Sequence, residues 1–239
     1  MGISQMLMKL AEGMATSCWI FGITLLFSLP LGMVIAFGRM SKKRIVQGIT
    51  KIYISIMRGT PLMLQLMVVY FGPYYLFGIK ISPFYRNIAV VIGFVLNYAA
   101  YFAEIYRSGI ESMPVGQYEA AEILGYSKSQ TFLHIILPQV IKRILPSVTN
   151  EVITLVKDTS LAFVIAVSEM FTIAKALASS QTSMVPYVAA GIFYYVFNFL
   201  VANRRRSWKI WRGREAITAE WTGCSSATAM PSALPIISC

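Results

Sequence analysis

Glu119-Ala120-Ala121-Glu122-Ile123-Leu124-Gly125, then Tyr126 to His134, then Ile135-Ile136-Leu137-Pro138 is the stretch on which the reading of this chain turns. It is polar, bounded by helix breakers, and set between apolar runs. In lipid, Glu119, Glu122, Lys128 and His134 would each need solvent or a protein partner. The segment is therefore expected outside the hydrocarbon, as a loop that docks something. Within it, Gly116 to Leu124 is expected to form a short amphipathic helix across one membrane face, after Met113-Pro114 has ended the helix before it. The small side chains of Ala120 and Ala121 would let that helix sit deep in a groove. Gly125, which tolerates left-handed backbone, would end it.

The rest of the chain is membrane-like. Of 239 residues, 56% are hydrophobic and 13% charged, with a mean hydropathy of +0.63; a soluble domain carries about a quarter charged residues. Gly13 to Gly38 and Gly59 to Ile79 are uncharged over 26 and 21 residues, and a helix needs about 20 to cross a bilayer. Asn87 to Tyr106 carries only Glu104, and Pro186 to Ala202 is uncharged. Ile144 to Ala174 is apolar but interrupted by Glu151, Lys157, Asp158 and Glu169, and counts as one span. The first run is far longer than the ~7–15 residues of a signal-peptide core, and no small-residue cleavage site follows it.

The net charge of +11 follows membrane topology rather than one soluble face, which argues against nucleic acid. Five Lys and Arg fall in Arg39 to Lys51, four in Arg107 to Arg143 and six in Arg204 to Arg214, against four in the alternate segments. Cytoplasmic loops are the Lys/Arg-rich ones. The expected fold is thus all-α integral membrane with five transmembrane helices (about 13–38, 59–79, 87–106, 144–174 and 186–202), N-out and C-in, with the polar loop 107–143 in the cytoplasm.

Polar residues inside the spans fall on stripes. Asn97, Tyr101 and Glu104 are spaced i, i+4 and i+7; Glu151, Thr154 and Asp158 are spaced i, i+3 and i+7, with Glu169 a further eleven residues on and nearly in phase. Each charge within a span costs about 2.5 to 3.5 kcal/mol on insertion scales, so such groups pair or line a polar pathway. Asn97, Tyr101, Glu104, Thr154 and Asp158 are the pathway candidates, while Glu151 and Glu169 could equally serve an interhelical pair or a shifted helix end. Gly59 before Thr60 reads as the start of span two, with Pro61 in its first turn.

There is no G-x-x-x-x-G-K-[ST], H-E-x-x-H or G-x-S-x-G, and one histidine in all, so nucleophilic and metal chemistry have no residues to work with. The chain is not expected to be an enzyme or to bind a cofactor or metal. Cys18, Cys224 and Cys239 have no paired spacing, which points to neither a disulfide framework nor a metal site.

The spacing E-A-A, three residues, G, nine residues, I-x-L-P over 119–138 resembles the signature loop of the membrane subunits of ABC importers. Arg58-Gly59-Thr60-Pro61-Leu62-x-x-Gln65-Leu66 is similar to a run in their amino-acid-importing branch. The resemblance covers about Met14 to Ala202. It implies a type I ABC importer (MetI-like) permease fold in the bacterial cytoplasmic membrane, paired as a homodimer or with a similar partner. It also implies two ABC ATPase subunits, which would use the ATP and Mg, docked through Glu119, Ala120, Ala121 and Gly125. An extracytoplasmic solute-binding protein would deliver a polar amino acid. A non-transporting sensor or structural subunit of the same fold is the alternative, and a membrane-embedded enzyme a remote third. After Ala202, usage switches to five Arg and one Lys, against six and nine upstream. Residues 203–239 read as a basic, disordered tail, dispensable for transport. It is either an anchor on anionic lipid or the product of a shifted frame or fused sequence.

Overall fold

The computed structural model describes residues 2–80 and 82–203, all of whose regular structure is helical. Residues 2–198 belong to one compact unit; of a second, 199–239, residues 199–203 are described. The tail expected from 203 onward otherwise lies outside the described residues.

The first helix, α1 (Ile3–Arg39), runs 37 residues. That is about 55 Å at 1.5 Å per residue, longer than the hydrocarbon it would cross. It begins ten residues before the uncharged run, because Met6 and Leu10 pack with Met170, Ala174, Leu177 and Ala190 in a small separate core. Its packed stripe continues through Gly13, Ser17, Ile20, Thr24, Ser28, Gly32 and Ala36. In lipid, helices gain little from burying apolar side chains against one another, so close backbone approach across small residues supplies the contact. A Cβ on Gly32 would lie 2.8 Å from Phe102 Cβ, and one on Gly13 would lie 2.7 Å from Met170 Cα.

The second expected span is a corner rather than a straight rod. Helices α2 (Arg44–Gly59) and α3 (Leu62–Phe77) meet at 110°. Gly59 closes α2 instead of starting a helix, and Pro61 stands just before the first turn of α3. Lys51 and Arg58 stand ahead of the uncharged run Gly59 to Ile79, so α2 was not legible as part of a span. It turns Ile45, Ile49, Ile52 and Ile56 outward on one stripe and packs Tyr53, Ile54 and Met57 inward.

The centre of the molecule is α4 (Pro83–Glu111), against which α1, α2 and α3 all pack. Ser82 caps it by accepting from Tyr85 N–H at 3.2 Å. Phe94, Tyr98, Phe102 and Tyr106 form a ladder one turn apart, with ring centroids 6.3 to 6.5 Å from each other. Beyond α4 comes the short helix α5 (Val115–Ile123). It ends as expected: Gly125 has φ +78°, Tyr126 N–H bonds to Ala121 O and Gly125 N–H to Glu122 O, satisfying carbonyls that a helix end leaves bare.

A capping box of Ser127 and Gln130 restarts the chain, and a π-helical turn over Thr131–Ile136 leads into α6 (Leu137–Asp158). The wide turn precedes Pro138, which has no N–H to give and whose ring would crowd an α-helical carbonyl. Residues 144–174 are not one continuous span. A 3-10 stretch, Thr159–Ile165, and left-handed Ala166 (φ +57°) separate α6 from α7 (Met170–Gln181), and the two helical arms are bent by 59°. Glu169 therefore does not continue the α6 stripe. It caps α7, accepting from Phe171 N–H, Thr172 N–H and the Thr172 hydroxyl at 2.7 to 2.8 Å, and from Tyr194 Oη–H at 3.3 Å. The last helix, α8, is Val185–Asn203. Among the described residues, three helices are long and apolar enough to cross a membrane, or up to five if each bent pair is one span.

Candidate functional site

Two arrangements stand out, and they meet at the end of α4. The first is the polar loop. On α5, Glu119 and Ala120 are exposed, whereas Ala121 is buried at 1% exposure, and the helix packs against the π-helical turn Thr131–Ile136. Val115, Ile123, Leu124 and Leu133 leave an exposed apolar surface around the two outward residues. The sequence reading overlooked what holds α5. Gln117 and Gln139 form a head-to-tail amide pair, Nε2 to Oε1 at 3.0 Å one way and 2.8 Å the other, tying α5 to α6. Arg143 Nη1 donates to Ser112 O at 3.0 Å, tying α6 to the α4–α5 junction.

The second is a cavity of about 530 Å³ between α2, α4 and α6, lined by charged and hydroxyl side chains, among them Arg58, Tyr101, Glu104, Arg107, Arg143, Ser147 and Glu151. Arg58 stands with its guanidinium 5.4 Å from the centroid of the Tyr101 ring, in cation–π range. Arg107 forms ion pairs with both Glu104 and Glu111. Glu151, half-buried, accepts no hydrogen bond and enters no ion pair among the described residues.

The expected pathway residues divide. Tyr101 and Glu104 line the cavity. Asn97, although on the same helical stripe, is buried at the α2–α3 corner, where its Nδ2 donates to Met57 O at 3.2 Å and to Gln65 Oε1 at 2.9 Å. Gln65 in turn donates from Nε2 to Met57 O (3.0 Å), Thr60 O (3.1 Å) and Thr60 Oγ1 (2.7 Å). These bonds satisfy carbonyls that the bend strips of helical partners, which is the condition for non-helical backbone at membrane depth. Asp158 Oδ2 accepts from Tyr98 Oη–H at 2.7 Å, and Thr154 Oγ1 donates to Asn150 O of its own helix at 3.1 Å. Neither is among the residues lining the cavity. Among the lining residues that were not expected in the pathway are Arg58 and Glu151. Both were visible as charges at or inside apolar runs, but their convergence depends on the α2–α3 bend, which no residue count conveys.

Residues 28–203 match the family described as "Binding-protein-dependent transport system inner membrane component". Over 216 residues the chain is 40% identical to the L-cystine transport system permease protein TcyL of Bacillus subtilis (strain 168), covering 85% of this chain and 89% of the relative. It is 39% identical over 186 residues to the arginine transport system permease protein ArtQ of the same organism, covering 77% and 84%. A crystal structure titled as an amino acid ABC transporter with histidines superposes with a TM-score of 0.76 at 28% identity, covering 86% of this chain and 94% of that one. The chain belongs to the family of inner-membrane components of binding-protein-dependent transport systems, so it is a multi-pass membrane transport component.

Proposed function

We propose that this chain is the permease subunit of an ATP-driven importer for a polar amino acid, working by alternating access. Its five spans would be α1, the α2–α3 corner, α4, α6 with α7, and α8, N-out and C-in, with 107–143 in the cytoplasm. Glu119, Ala120 and Ala121, with Gly125 in the turn that follows, would form the docking element for two ATPase subunits, which would use the ATP and Mg. A second permease copy or a similar subunit would complete the membrane unit, and an extracytoplasmic solute-binding protein would supply the substrate. Tyr101 and Glu104, joined by Arg58 and Glu151, would face the translocated solute. Asn97, Thr154 and Asp158 would brace its walls.

The observation that carries this reading is mechanical. Arg143 belongs to the cavity lining and also holds Ser112, three residues before α5 begins. A displacement of α5 would therefore reach the cavity through one bonded side chain, a mechanical link of the kind alternating access requires. The relatives named for cystine and arginine transport support the substrate class.

The test is uptake by vesicles holding the complete complex. Glu119→Lys or Gly125→Asp should abolish ATP-driven uptake and weaken ATPase association while membrane insertion stays normal. Full uptake with stoichiometric ATPase in either variant would refute the docking assignment. Reporter fusions after Lys51 and Ser127 should read cytoplasmic, and those at Ser82 and Ser180 extracytoplasmic; a cytoplasmic Ser180 would remove one span.

A further inference from the structure

Ala166 stands in left-handed backbone, φ +57°, where a residue other than glycine is strained because its Cβ crowds the following carbonyl. It lies in the break between α6 and α7, whose arms meet at 59°. Both sides of the break are pinned. Tyr98 of α4 donates to Asp158 at the end of α6, and Met170 N–H at the start of α7 donates to Ser17 Oγ of α1 at 3.4 Å. One more bond holds the break itself. Arg86 Nη1, from the first turn of α4, donates to Ala166 O at 2.9 Å, joining residues 80 apart in sequence. Among the described residues Arg86 enters no ion pair, and its Nε is buried without a hydrogen-bond partner. A bond from a charged donor stabilises by about as much as one left-handed alanine costs. The two contributions oppose each other, which is the condition for an element with two accessible forms.

Resting on the importer reading above, we infer that Arg86 is a positioning residue of the transport cycle: it latches the α6–α7 pivot in its bent form, and the latch opens and closes again in each turnover. The amide pair of Gln117 and Gln139 ties α6 to α5, so a movement of α5 turns α6 about its pinned end at Asp158. The change in dihedral angles then falls on the break, as it does on the few hinge residues of other domain motions. With Arg86 released, Ala166 returns to right-handed backbone and the arms straighten. Because the guanidinium gives Ala166 one bond and leaves Nε idle, opening the latch forfeits a single interaction. Glycine at 166 would hold the left-handed turn unaided. Alanine makes the turn depend on Arg86.

Each side of the balance can be removed separately. Arg86→Ala deletes the bond and favours the straight form, whereas Ala166→Gly deletes the strain and favours the bent one. Transport uses both forms, so each variant should slow ATP-driven uptake by vesicles holding the complete complex, by about fivefold. The double variant should return to within about twofold of the wild type, since the two changes oppose each other. Losses that multiply in the double variant would mark the contact as plain structure and overturn the latch, as would full uptake in both single variants. The arm angle is read independently in the permease–ATPase complex in nanodiscs, from the distance between spin labels at Ile141→Cys on α6 and Ser179→Cys on α7. Cys18, Cys224 and Cys239 are replaced by alanine for this purpose, and labelled chains are diluted with unlabelled ones. Arg86→Ala should lengthen that distance, Ala166→Gly should shorten it, and the double variant should match the wild type. If Arg86→Ala does not insert, Ala166→Gly decides alone, because a distance distribution that it leaves unchanged overturns the proposal. Absent uptake by the wild type would sink the importer reading, and the label distances would still judge the latch.

Discussion

Asn97 and Tyr101 lie about one helical turn apart on α4, yet they belong to opposite kinds of polar site. Around Asn97 the polar groups of the bend are bonded to one another: Gln65 and Asn97 together bind Met57 O, Thr60 O, Thr60 Oγ1 and each other. Around Tyr101, Arg58 and Glu151 line the cavity without a hydrogen bond or a close ion pair among the described residues. The first arrangement makes a bend permissible inside a membrane; the second leaves interactions for something that arrives. Saturated polar clusters are architecture here, and unsaturated ones are candidates for function.

That contrast can be broken by substitution. Glu169 is the most saturated group of all, buried at 0% exposure with four donors. Replacing it with Ala would orphan two backbone N–H groups and should cost about 3 kcal/mol, read as a lower melting temperature of the detergent-solubilised complex. An unchanged melt would show that the α7 cap is incidental. At the corner, Gln65→Leu strips Asn97, Thr60 and Met57 of partners and should cost about 2 kcal/mol, with uptake falling in proportion to folded protein. Normal abundance with lost uptake would instead move Gln65 into the functional class. Glu151→Gln should do the reverse, lowering uptake about tenfold at an unchanged or raised melting temperature, because no internal bond is lost. A drop in stability equal to that of Gln65→Leu would erase the distinction between the two sites. Smallest, Tyr98→Phe removes one hydrogen bond to Asp158 and should cost about 0.6 kcal/mol, the average found for such bonds between membrane helices; thermal melts of the two proteins measure it.

Much of the loop was legible beforehand, because breakers and helix caps act locally. Gly116 to Leu124 was expected as a helix and Val115–Ile123 is one, and the left-handed turn fell on Gly125. The bends were not legible. Counting uncharged residues finds segments able to cross a bilayer but says nothing about direction, so the break at Ala166 fell inside one expected span, while the 110° turn at Thr60 stood at the start of another and left α2 outside it. Stripe arithmetic failed for the same reason: Asn97 shares a stripe with Glu104, but the corner claims it first. Glu169 was in phase with Asp158 only if the helix between them were unbroken. Arg58 and Glu151 meet through tertiary geometry, which no spacing encodes.

The amide pair of Gln117 and Gln139 carries a last consequence. Neither partner bears a charge, and each gives one hydrogen bond and takes one, so the joint has no dependence on protonation and little on dissolved salt, unlike an ion pair at an exposed site. A cell that swells, shrinks or acidifies would leave this linkage at the same stiffness. A Gln117→Glu, Gln139→Lys exchange would substitute a joint that loosens as ionic strength rises, turning osmotic history into a setting for how firmly the docking helix grips the membrane domain.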